Sequence, residues 1–427
     1  MNVLLIDISP FTEAVTPVSL GHIGAALAKC GHDIRIMSIG SSSTVSLAGI
    51  KNFLGEFRPR MVGFGTYQRN LPQIIALARL IKGVLPEASI VLGGPQASFM
   101  PDEGLAVLRD VDFLCRGEGE AVIEIITETV LSGDADQPVP GASRRTSDGR
   151  VLTGPPVEAA RDLDEYPSPW LSGVLDAAAM GESIMLTSRG CPHNCVFCYT
   201  PAASDRRIRC NSVDRVIEEI TFVAKRGTRR LWFADPNFSF SEKRVVGILE
   251  GILKRNLDLE MWIETRADML TPDMIRLMKR AGVYLVAMGL ESASPNVVPG
   301  LNKNLEPDRI REAVRMALEG GLDVELFSQY ALPNEALEDA KATLQFVKDC
   351  GVKIQGNSNA QQMQLYFGSD ICSNYVRYGV TPLRERFPPY LSIGTEFETR
   401  WMSKREIDEI KRAWRAESMD GGKRVVS

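Results

Sequence analysis

Short apolar runs alternate with amphipathic segments along the N-terminal third of the chain. The predicted strands are Val3 to Asp7, Asp33 to Ser38, Met61 to Thr66, Ser89 to Leu92 and Val111 to Cys115. The predicted helices between and after them are Ser19 to Cys30, Val45 to Glu56, Leu71 to Leu85 and Glu120 to Leu131. This alternation predicts a parallel, doubly wound sheet that binds ligands at the carboxyl ends of its strands.

A second alternation begins near residue 183. Its predicted strands are Ser183 to Thr187, Arg230 to Ala234, Met261 to Thr265, Tyr284 to Met288, Val324 to Tyr330 and Lys353 to Asn357. Thr271 before Pro272, and Ser212 before Val213, are expected to cap two of the intervening helices. Six strand–helix units predict a partial parallel barrel with functional residues at the carboxyl ends of its strands.

These patterns divide the chain into four parts. Residues 1–132 form the doubly wound domain, and residues 133–181 form a linker without a long periodic segment. The linker contains a predicted hairpin around Asp148-Gly149, a strong turn signal. Residues 182–367 form the barrel, and residues 368–427 form a C-terminal cap.

Composition narrows the class of protein. The chain has 427 residues, a hydrophobic fraction of 44% and a formal charge of -5, so nothing indicates nucleic-acid binding. No apolar run approaches the roughly 20 residues of a membrane helix, so no membrane span is expected. Met1 leads straight into a strand pattern without a secretion signal, which predicts a cytoplasmic protein. The clustering among its eight cysteines favours metal binding or catalysis over disulfides.

Three cysteines lie close together after the strand that ends near Thr187. Cys191, Cys195 and Cys198 have the spacing C-x3-C-x2-C. Three thiolates so spaced are able to bind three irons of a cubane cluster and leave the fourth iron open for chemistry. The alternatives are three unrelated thiols or a zinc site, which wants four ligands and finds only His193 nearby.

This cysteine loop resembles that of the radical S-adenosylmethionine superfamily, including Phe197 before the last cysteine. Further segments stand where that superfamily has strand-end motifs: 233–238, 264–266, 289–294 and 331–335. The N-terminal domain resembles the cobalamin-binding module often fused to such barrels, with its marks at 20–22, 93–97 and 116–120, and 162–169 in the linker. The resemblance covers roughly residues 1 to 370 and implies an α/β protein with a Rossmann-like cobalamin-binding domain and a partial (β/α)6 radical barrel.

The resemblance implies a role for particular residues. The three cysteines would hold a [4Fe-4S] cluster, Phe197 would contact the adenine of S-adenosylmethionine, and Asp235 its ammonium group. Arg266 would pair with its carboxylate, while Glu291 and Ser292 would hold the ribose; internal ion pairs of the barrel are the alternative for Asp235, Arg266 and Glu291. Cobalamin would contact the carboxyl edge of the first sheet through Thr66, Gln68, Arg69, Gly93, Gly94, Pro95, Gln96, Gly117 and Glu118. No single catalytic side chain is assigned.

The loop after the first strand departs from many cobalamin proteins. Those proteins carry a D-x-H-x-x-G loop whose histidine binds cobalt, whereas residues 7–12 here contain no histidine. The resemblance then implies a cobalt without a histidine below it, as in the methylating subgroup. Gln96 stands where relatives often carry histidine, and Arg69 is either part of the lower face or a surface cation.

The function implied is methylation of an unactivated carbon of a small metabolite, with a flavodoxin- or ferredoxin-type protein as the one-electron reductant. Three alternatives stay open: a cyclisation or rearrangement with both cofactors, a radical enzyme whose first domain has lost cobalamin, and a non-enzymatic cobalamin carrier or electron-transfer protein. A methylthiotransferase is disfavoured, because its cysteine-bearing N-terminal domain and RNA-binding tail are not visible in the sequence. The candidate substrate-lining residues, for which barrel packing is the alternative, are Tyr67, Tyr330, Gln362, Gln364 and Tyr366.

Overall fold

The computed structural model describes residues 1–9, 16–40, 46–134, 136–179, 181–354, 360–384 and 387–420. It divides into two compact units. The first contains Met1–Met180 and Phe387–Ser392, and the second contains Gly181–Arg386 and Ile393–Ser427. A short C-terminal stretch therefore belongs with the N-terminal unit.

One sheet organises the first unit. Among the described residues it has seven strands in the order β2-β1-β3-β4-β5-β6-β7, with the first five parallel and the last two antiparallel. The strands are β1 (Asn2–Ile8), β2 (Asp33–Ile39), β3 (Met61–Gly65), β4 (Ser89–Gly93), β5 (Phe113–Cys115), β6 (Ala142–Arg145) and β7 (Val151–Thr153). The doubly wound prediction is confirmed. The hairpin expected in the linker is present as β6 and β7, and it extends this sheet.

Six described helices accompany this sheet. They are α1 (Val18–Lys29), α2 (Leu47–Phe57), α3 (Leu71–Val84), α4 (Pro95–Phe99), α5 (Asp102–Val107) and α6 (Gly119–Ser132). The core contains Val3 and Leu5 of β1, Leu27 of α1 and Ile126 of α6, all 0% exposed. The sequence did not predict α4 and α5, because each is too short to establish a helical period.

The second unit contains the predicted parallel barrel sheet. In the described part, six strands follow the order β8-β11-β12-β13-β14-β15, all parallel. The strands of this region are β8 (Glu182–Met185), β9 (Ser188–Arg189), β10 (Arg209–Cys210), β11 (Arg230–Phe233), β12 (Glu260–Thr265), β13 (Val283–Glu291), β14 (Asp323–Tyr330) and β15 (Ala360–Gln362). The partial barrel is confirmed as a curled half-barrel.

The sixth barrel strand differs from its prediction. The predicted strand, Lys353 to Asn357, lies outside the described residues from position 355 onward, and Lys353 and Ile354 are not in a strand. Ala360–Gln362 pairs with β14 instead. The apolar residues Val352 and Ile354 are buried after a helix end, and this burial resembles a strand pattern in the sequence.

The remaining elements of the second unit are helices on the barrel and a small C-terminal hairpin. They are α7 (Thr200–Ala203), α8 (Val213–Lys225), α9 (Glu242–Lys254), α10 (Pro272–Ala281), α11 (Pro307–Glu319), α12 (Leu337–Asp349), α13 (Asp370–Ser373), β16 (Val380–Pro382), β17 (Phe397–Thr399) and α14 (Lys404–Asp420). Both predicted caps are confirmed: the Ser212 hydroxyl accepts from Arg215 N and the Thr271 hydroxyl accepts from Met274 N. None of the described helices has the length and apolar character needed to cross a bilayer.

Candidate functional site

The three cysteines lie in the loop between β9 and β10, residues 190–208, near the carboxyl end of β8. This loop is called the lobe. Its ends are joined because β9 pairs with β10, Arg189 opposite Arg209. Gly190 precedes the first cysteine with φ +92°, and a Cβ there would lie 1.9 Å from Arg207 O. Only glycine fits this close approach, so the sequence Gly190-Cys191 sets the path into the lobe.

Backbone hydrogen bonds fix the centre of the lobe. Val196 N donates to Leu301 O at 3.2 Å, and Val196 O accepts from Ile371 N at 3.0 Å. The Asn302 side chain donates to Asn194 O at 3.0 Å. Because Val196 lies between Cys195 and Cys198, these bonds hold both cysteines against the barrel unit.

The three thiols share one partly buried environment. All three cysteines are half-buried and free. Burial raises the pKa of Cys195 to about 11, the Lys303 ammonium opposes the shift, and the neighbouring Cys198 and Cys191 add to it. Burial likewise raises the pKa of Cys198, whose sulfur accepts from Thr200 N at 3.4 Å. Three mutually interacting thiols beside a cation match the donor set of a cluster bound through three cysteines.

A mononuclear metal site does not fit these side chains. Across the described ranges, no group of three or more His, Cys, Asp and Glu side chains converges as a single ion requires. The thiols of a cubane need not converge in this way, because each one binds a different iron.

Asp235, expected to bind the ammonium group, braces the start of the lobe. It is 1% exposed, and its carboxylate accepts from Thr187 N at 2.7 Å and Ser188 N at 2.9 Å, and from the Thr187 hydroxyl at 2.5 Å. The Arg244 guanidinium donates to Thr187 O at 2.8 Å from the other side. Three accepted hydrogen bonds leave this carboxylate little capacity for another donor.

Arg266, expected to pair with a carboxylate, already has one. Its guanidinium forms a two-pronged pair with Asp268, at 3.0 and 2.9 Å, and donates to Lys303 O at 3.2 Å. The backbone N of Arg266 donates to Asn237 Oδ1 at 3.2 Å, which secures the turn after β12. The cations Arg266 and Lys303 help burial lower the pKa of His193 in the lobe.

Glu291 forms a buried polar cluster with two residues that the sequence did not single out. Its Oε1 accepts from Lys303 Nζ at 2.9 Å and its Oε2 from Gln329 Nε2 at 2.7 Å. Glu291 has φ +64°, unusual for a non-glycine residue, at a register shift of β13. Lys303 lies in a polar loop after Leu301 that has no hydrophobic periodicity. No sequence pattern therefore marked it as a partner of Glu291.

Ser292 and Phe197, both expected to contact S-adenosylmethionine, differ in how exposed their side chains are. Ser292 is 1% exposed, and its hydroxyl pairs with the Thr343 hydroxyl at 3.2 Å and accepts from Ser294 N at 3.2 Å. Phe197 is half-buried in the lobe. The aromatic ring next to Cys198, that of Tyr199, makes an edge contact with Tyr366 at 6.2 Å between centroids.

At the carboxyl edge of the first sheet, backbone hydrogen bonds join the loops after β3 and β4. Thr66 N donates to Gly93 O at 2.8 Å, and Thr66 O accepts from Gln96 N at 3.2 Å. Gly94 has φ +85°, and a Cβ there would lie 3.0 Å from Thr66 O. A Cβ at Gly117, φ +76°, would meet no atom within 4 Å. The result is a connected edge with an open, side-chain-free position at Gly117, where a large flat ligand such as a corrinoid could approach the backbone closely.

The turn after β3 is held by a buried asparagine. Asn70 is 2% exposed; its amide donates to Ile8 O at 3.2 Å and Gly65 O at 2.9 Å, and accepts from Tyr67 N at 2.8 Å. The predicted residues Gln68 and Arg69 lie in this turn. Asn70 therefore fixes the turn to the end of β1, a role that sequence reasoning missed.

The other predicted corrinoid-binding residues lie after β4 and β5. Pro95 begins α4, Gln96 is 3% exposed, and Glu118 precedes the first turn of α6. Arg116, beside them, points its guanidinium into the fold, where it pairs with Asp102 at 2.7 Å and donates to Ala97 O at 2.7 Å. The loop at 7–12 is described only as far as Ser9, and burial raises the pKa of Asp7 to about 6.

Two family models match successive parts of the chain. The B12 binding domain matches residues 6–127, and the radical SAM superfamily matches residues 185–347. These ranges correspond to the first sheet and to the cysteine lobe with its barrel.

Curated relatives align with most of the chain. An uncharacterized methyltransferase of Pyrococcus horikoshii is 28% identical over 78% of this chain and 73% of its own length. Hopanoid C-3 methylase of Methylococcus capsulatus is 30% identical over 72% of this chain and 59% of its own length. An anaerobic magnesium-protoporphyrin IX monomethyl ester cyclase of Rubrivivax gelatinosus is 25% identical over 78% and 62%. The chain thus spans less than two thirds of the last two relatives.

A solved structure shares the fold. The radical S-adenosylmethionine methyltransferase TsrM from Kitasatospora setae, with cobalamin and a [4Fe-4S] cluster bound, superposes with a TM-score of 0.77 at 16% identity. The match covers 99% of this chain and 89% of that one. The two family models imply the cofactors expected from the sequence, namely a [4Fe-4S] cluster, S-adenosylmethionine and cobalamin. The chain therefore belongs to the radical S-adenosylmethionine enzymes that carry a cobalamin-binding domain.

Proposed function

We propose that this enzyme methylates an unactivated carbon of a small-molecule substrate. The observation that carries the proposal is the cysteine lobe beside the buried Lys303–Glu291 pair, in a chain whose other unit has an open glycine edge. The names of two relatives, a methyltransferase and a methylase, support methyl transfer over other radical reactions.

The chain's own residues would prepare the site for charged and reactive species. When bound, the cluster supplies the electron that cleaves S-adenosylmethionine, and the corrinoid relays a methyl group. Lys303 Nζ, 2.9 Å from Glu291 Oε1, places beside the thiols a cation that lowers the pKa of Cys195, and the Glu291 carboxylate partly offsets it. Partial burial of the cysteines limits water, which would quench a radical.

The proposed reaction balances once an external reductant supplies two electrons. A substrate R–H, two molecules of S-adenosylmethionine and two electrons give R–CH3, S-adenosylhomocysteine, methionine and 5′-deoxyadenosine. One S-adenosylmethionine supplies the methyl group, and the other accepts the hydrogen atom of R–H as 5′-deoxyadenosine. Both electrons come from an external reductant, for which we propose a flavodoxin or ferredoxin type.

The binding residues for S-adenosylmethionine remain part of the proposal. Phe197 is proposed for the adenine, and Glu291 with Ser292 for the ribose. Asp235 and Arg266 are engaged by Thr187 and Asp268, so we propose that they act chiefly by holding the lobe and the turn after β12. For the substrate, Tyr366 is the favoured contact because its ring touches Tyr199 beside Cys198.

A cyclisation is the second candidate. The relative named as a cyclase aligns over 78% of this chain, the same share as the first methyltransferase relative. Such a reaction consumes S-adenosylmethionine as a hydrogen acceptor and leaves no methyl group on the product.

The products of S-adenosylmethionine distinguish the two candidates. The protein is reconstituted anaerobically with iron, sulfide and hydroxocobalamin, then given a reductant, a small-molecule extract and S-adenosylmethionine with a deuterated methyl group. Methylation predicts S-adenosylhomocysteine and 5′-deoxyadenosine in equal amounts, and a metabolite that carries the deuterated methyl group. Formation of 5′-deoxyadenosine without S-adenosylhomocysteine would reject methylation and favour cyclisation.

A further inference from the structure

A six-residue segment from the C-terminal part of the chain belongs to the first unit. Phe387–Ser392 groups with Met1–Met180, whereas its neighbours in sequence group with the barrel. We propose that this segment, the strap, is a wall of the corrinoid site, and that Gln68 and Gln96 are positioning residues that hold the strap. The inference rests on cobalamin binding by this unit and not on the proposed methyl transfer.

The strap is hydrogen-bonded to the loops that follow β3 and β4. Gln96 Nε2 donates to Tyr390 O at 2.9 Å, and both Gln96 and Ser392 are 3% exposed. Gln68 Nε2 donates to the Ser392 hydroxyl and, at 3.4 Å, to Ser392 O. Both glutamine amides thus donate to the strap, at the edge where a doubly wound sheet binds its ligands.

The strap's own sequence favours a fixed shape. Pro388 and Pro389 restrict their φ angles, and Leu391 N donates to Pro388 O at 2.8 Å to close a turn. A strap that is already bent has less conformational entropy to lose when it docks.

The strap lies beside α3 and α5 of the first unit. Tyr390 lines a cavity of about 360 Å³ together with Ala78 of α3 and Leu108 after α5. A Cβ at Gly104 of α5 would lie 2.6 Å from Met100 Cγ and 3.1 Å from Tyr390 Cα, so the absence of a side chain there leaves room for both Met100 and the strap.

The rate of corrinoid release tests the proposal. The protein is loaded with hydroxocobalamin and transferred to corrinoid-free buffer, and the absorbance of the released corrinoid is followed. Ser392→Ala removes an acceptor on the strap and leaves the sheet loops unchanged. We expect about three- to tenfold faster release, the effect of losing one buried hydrogen bond. Ser418→Ala is the matched control, because that exposed hydroxyl of α14 bonds only to Arg415 O among the described residues.

A double-mutant cycle decides whether Gln68 acts through the strap. Gln68→Ala alone should accelerate release about as much as Ser392→Ala, and the double variant should be no faster than either. Acceleration by Gln68→Ala with an unchanged rate for Ser392→Ala, or fully additive effects, would overturn the proposal and indicate direct contact with the corrinoid.

Discussion

Single residues decide how the cysteine lobe is held. Gly190 admits the Arg207 carbonyl, and Asp235 gathers three donors from Thr187 and Ser188. Neither residue needs to touch a cofactor to affect the cluster. At this scale, the lobe depends on positions whose main role is to fix the backbone.

Substitution of a cysteine in the lobe should affect iron binding far more than substitution of a cysteine elsewhere in the chain. Cys195→Ala should abolish iron binding beyond background and 5′-deoxyadenosine formation, because two thiols remain where three are needed. Cys210→Ala, a half-buried thiol of β10, is the control and should retain both. Iron analysis and mass spectrometry measure the outcome, and persistent 5′-deoxyadenosine in Cys195→Ala would reject the cluster assignment.

The Lys303–Glu291 pair should behave as a unit. Lys303→Met leaves the Glu291 carboxylate buried without its cation, at a cost of about 3 kcal/mol in the free energy of unfolding. Adding Glu291→Gln removes that charge, so the double variant should be more stable than Lys303→Met alone. Urea denaturation measures both, and a double variant of equal or lower stability would contradict the coupling.

At the residue scale, the sequence predicted which residues belong to the site better than it predicted which side chains contact each other. The cysteine spacing identifies the lobe because the motif is local. By contrast, the Lys303 contact with Glu291 joins a loop to the end of β13, and no periodicity relates the two positions. Arg116 stands in a predicted ligand loop, yet its guanidinium turns inward to Asp102, an orientation that depends on the unpredicted helix α5.

Secondary-structure elements bring acidic side chains together inside the barrel unit. Glu264 lies on β12 and accepts from Trp232 Nε1 of β11 at 3.1 Å. Burial raises the pKa of Glu264 to about 7, with Glu325 and Asp235 adding to the shift. The alternation of strands and helices predicted this sheet, but which carboxylates face each other depends on register.

Glu264 should make stability fall as the pH rises. Its folded pKa of about 7 exceeds the ordinary glutamate pKa of 4.5, so the folded state binds more protons between these values. The free energy of unfolding should therefore decrease from about pH 4.5 to pH 7 and then level off, by up to about 3 kcal/mol. Glu264→Gln should reduce this slope in urea denaturation; an unchanged slope would contradict the assignment.

The whole molecule combines two units that the sequence predicted separately. Their folds follow from alternating patterns, and two family models match them in the same order. The strap could not be predicted, because residues 387–392 show neither a periodic pattern nor a motif and their membership in the first unit is a tertiary property.

Cobalamin should stabilise the protein by mass action. At about 100 times its dissociation constant, hydroxocobalamin should add about 2.7 kcal/mol to the stability of the unit that binds it. The thermal unfolding midpoint measures this effect. Gly94→Ala should lose most of the shift, since its Cβ would lie 3.0 Å from Thr66 O at a φ of +85°. An undiminished shift in this variant would place the corrinoid elsewhere.

The hydrogen bonds that join Thr66 to Gly93 and Gln96 have a consequence for the timing of assembly. They are internal to the protein, so the edge takes its shape without help from a ligand. Little conformational freedom is then lost when the ligand arrives. Apoprotein made while corrinoid is scarce would already have a folded binding edge, and it would bind corrinoid without refolding when the supply returns.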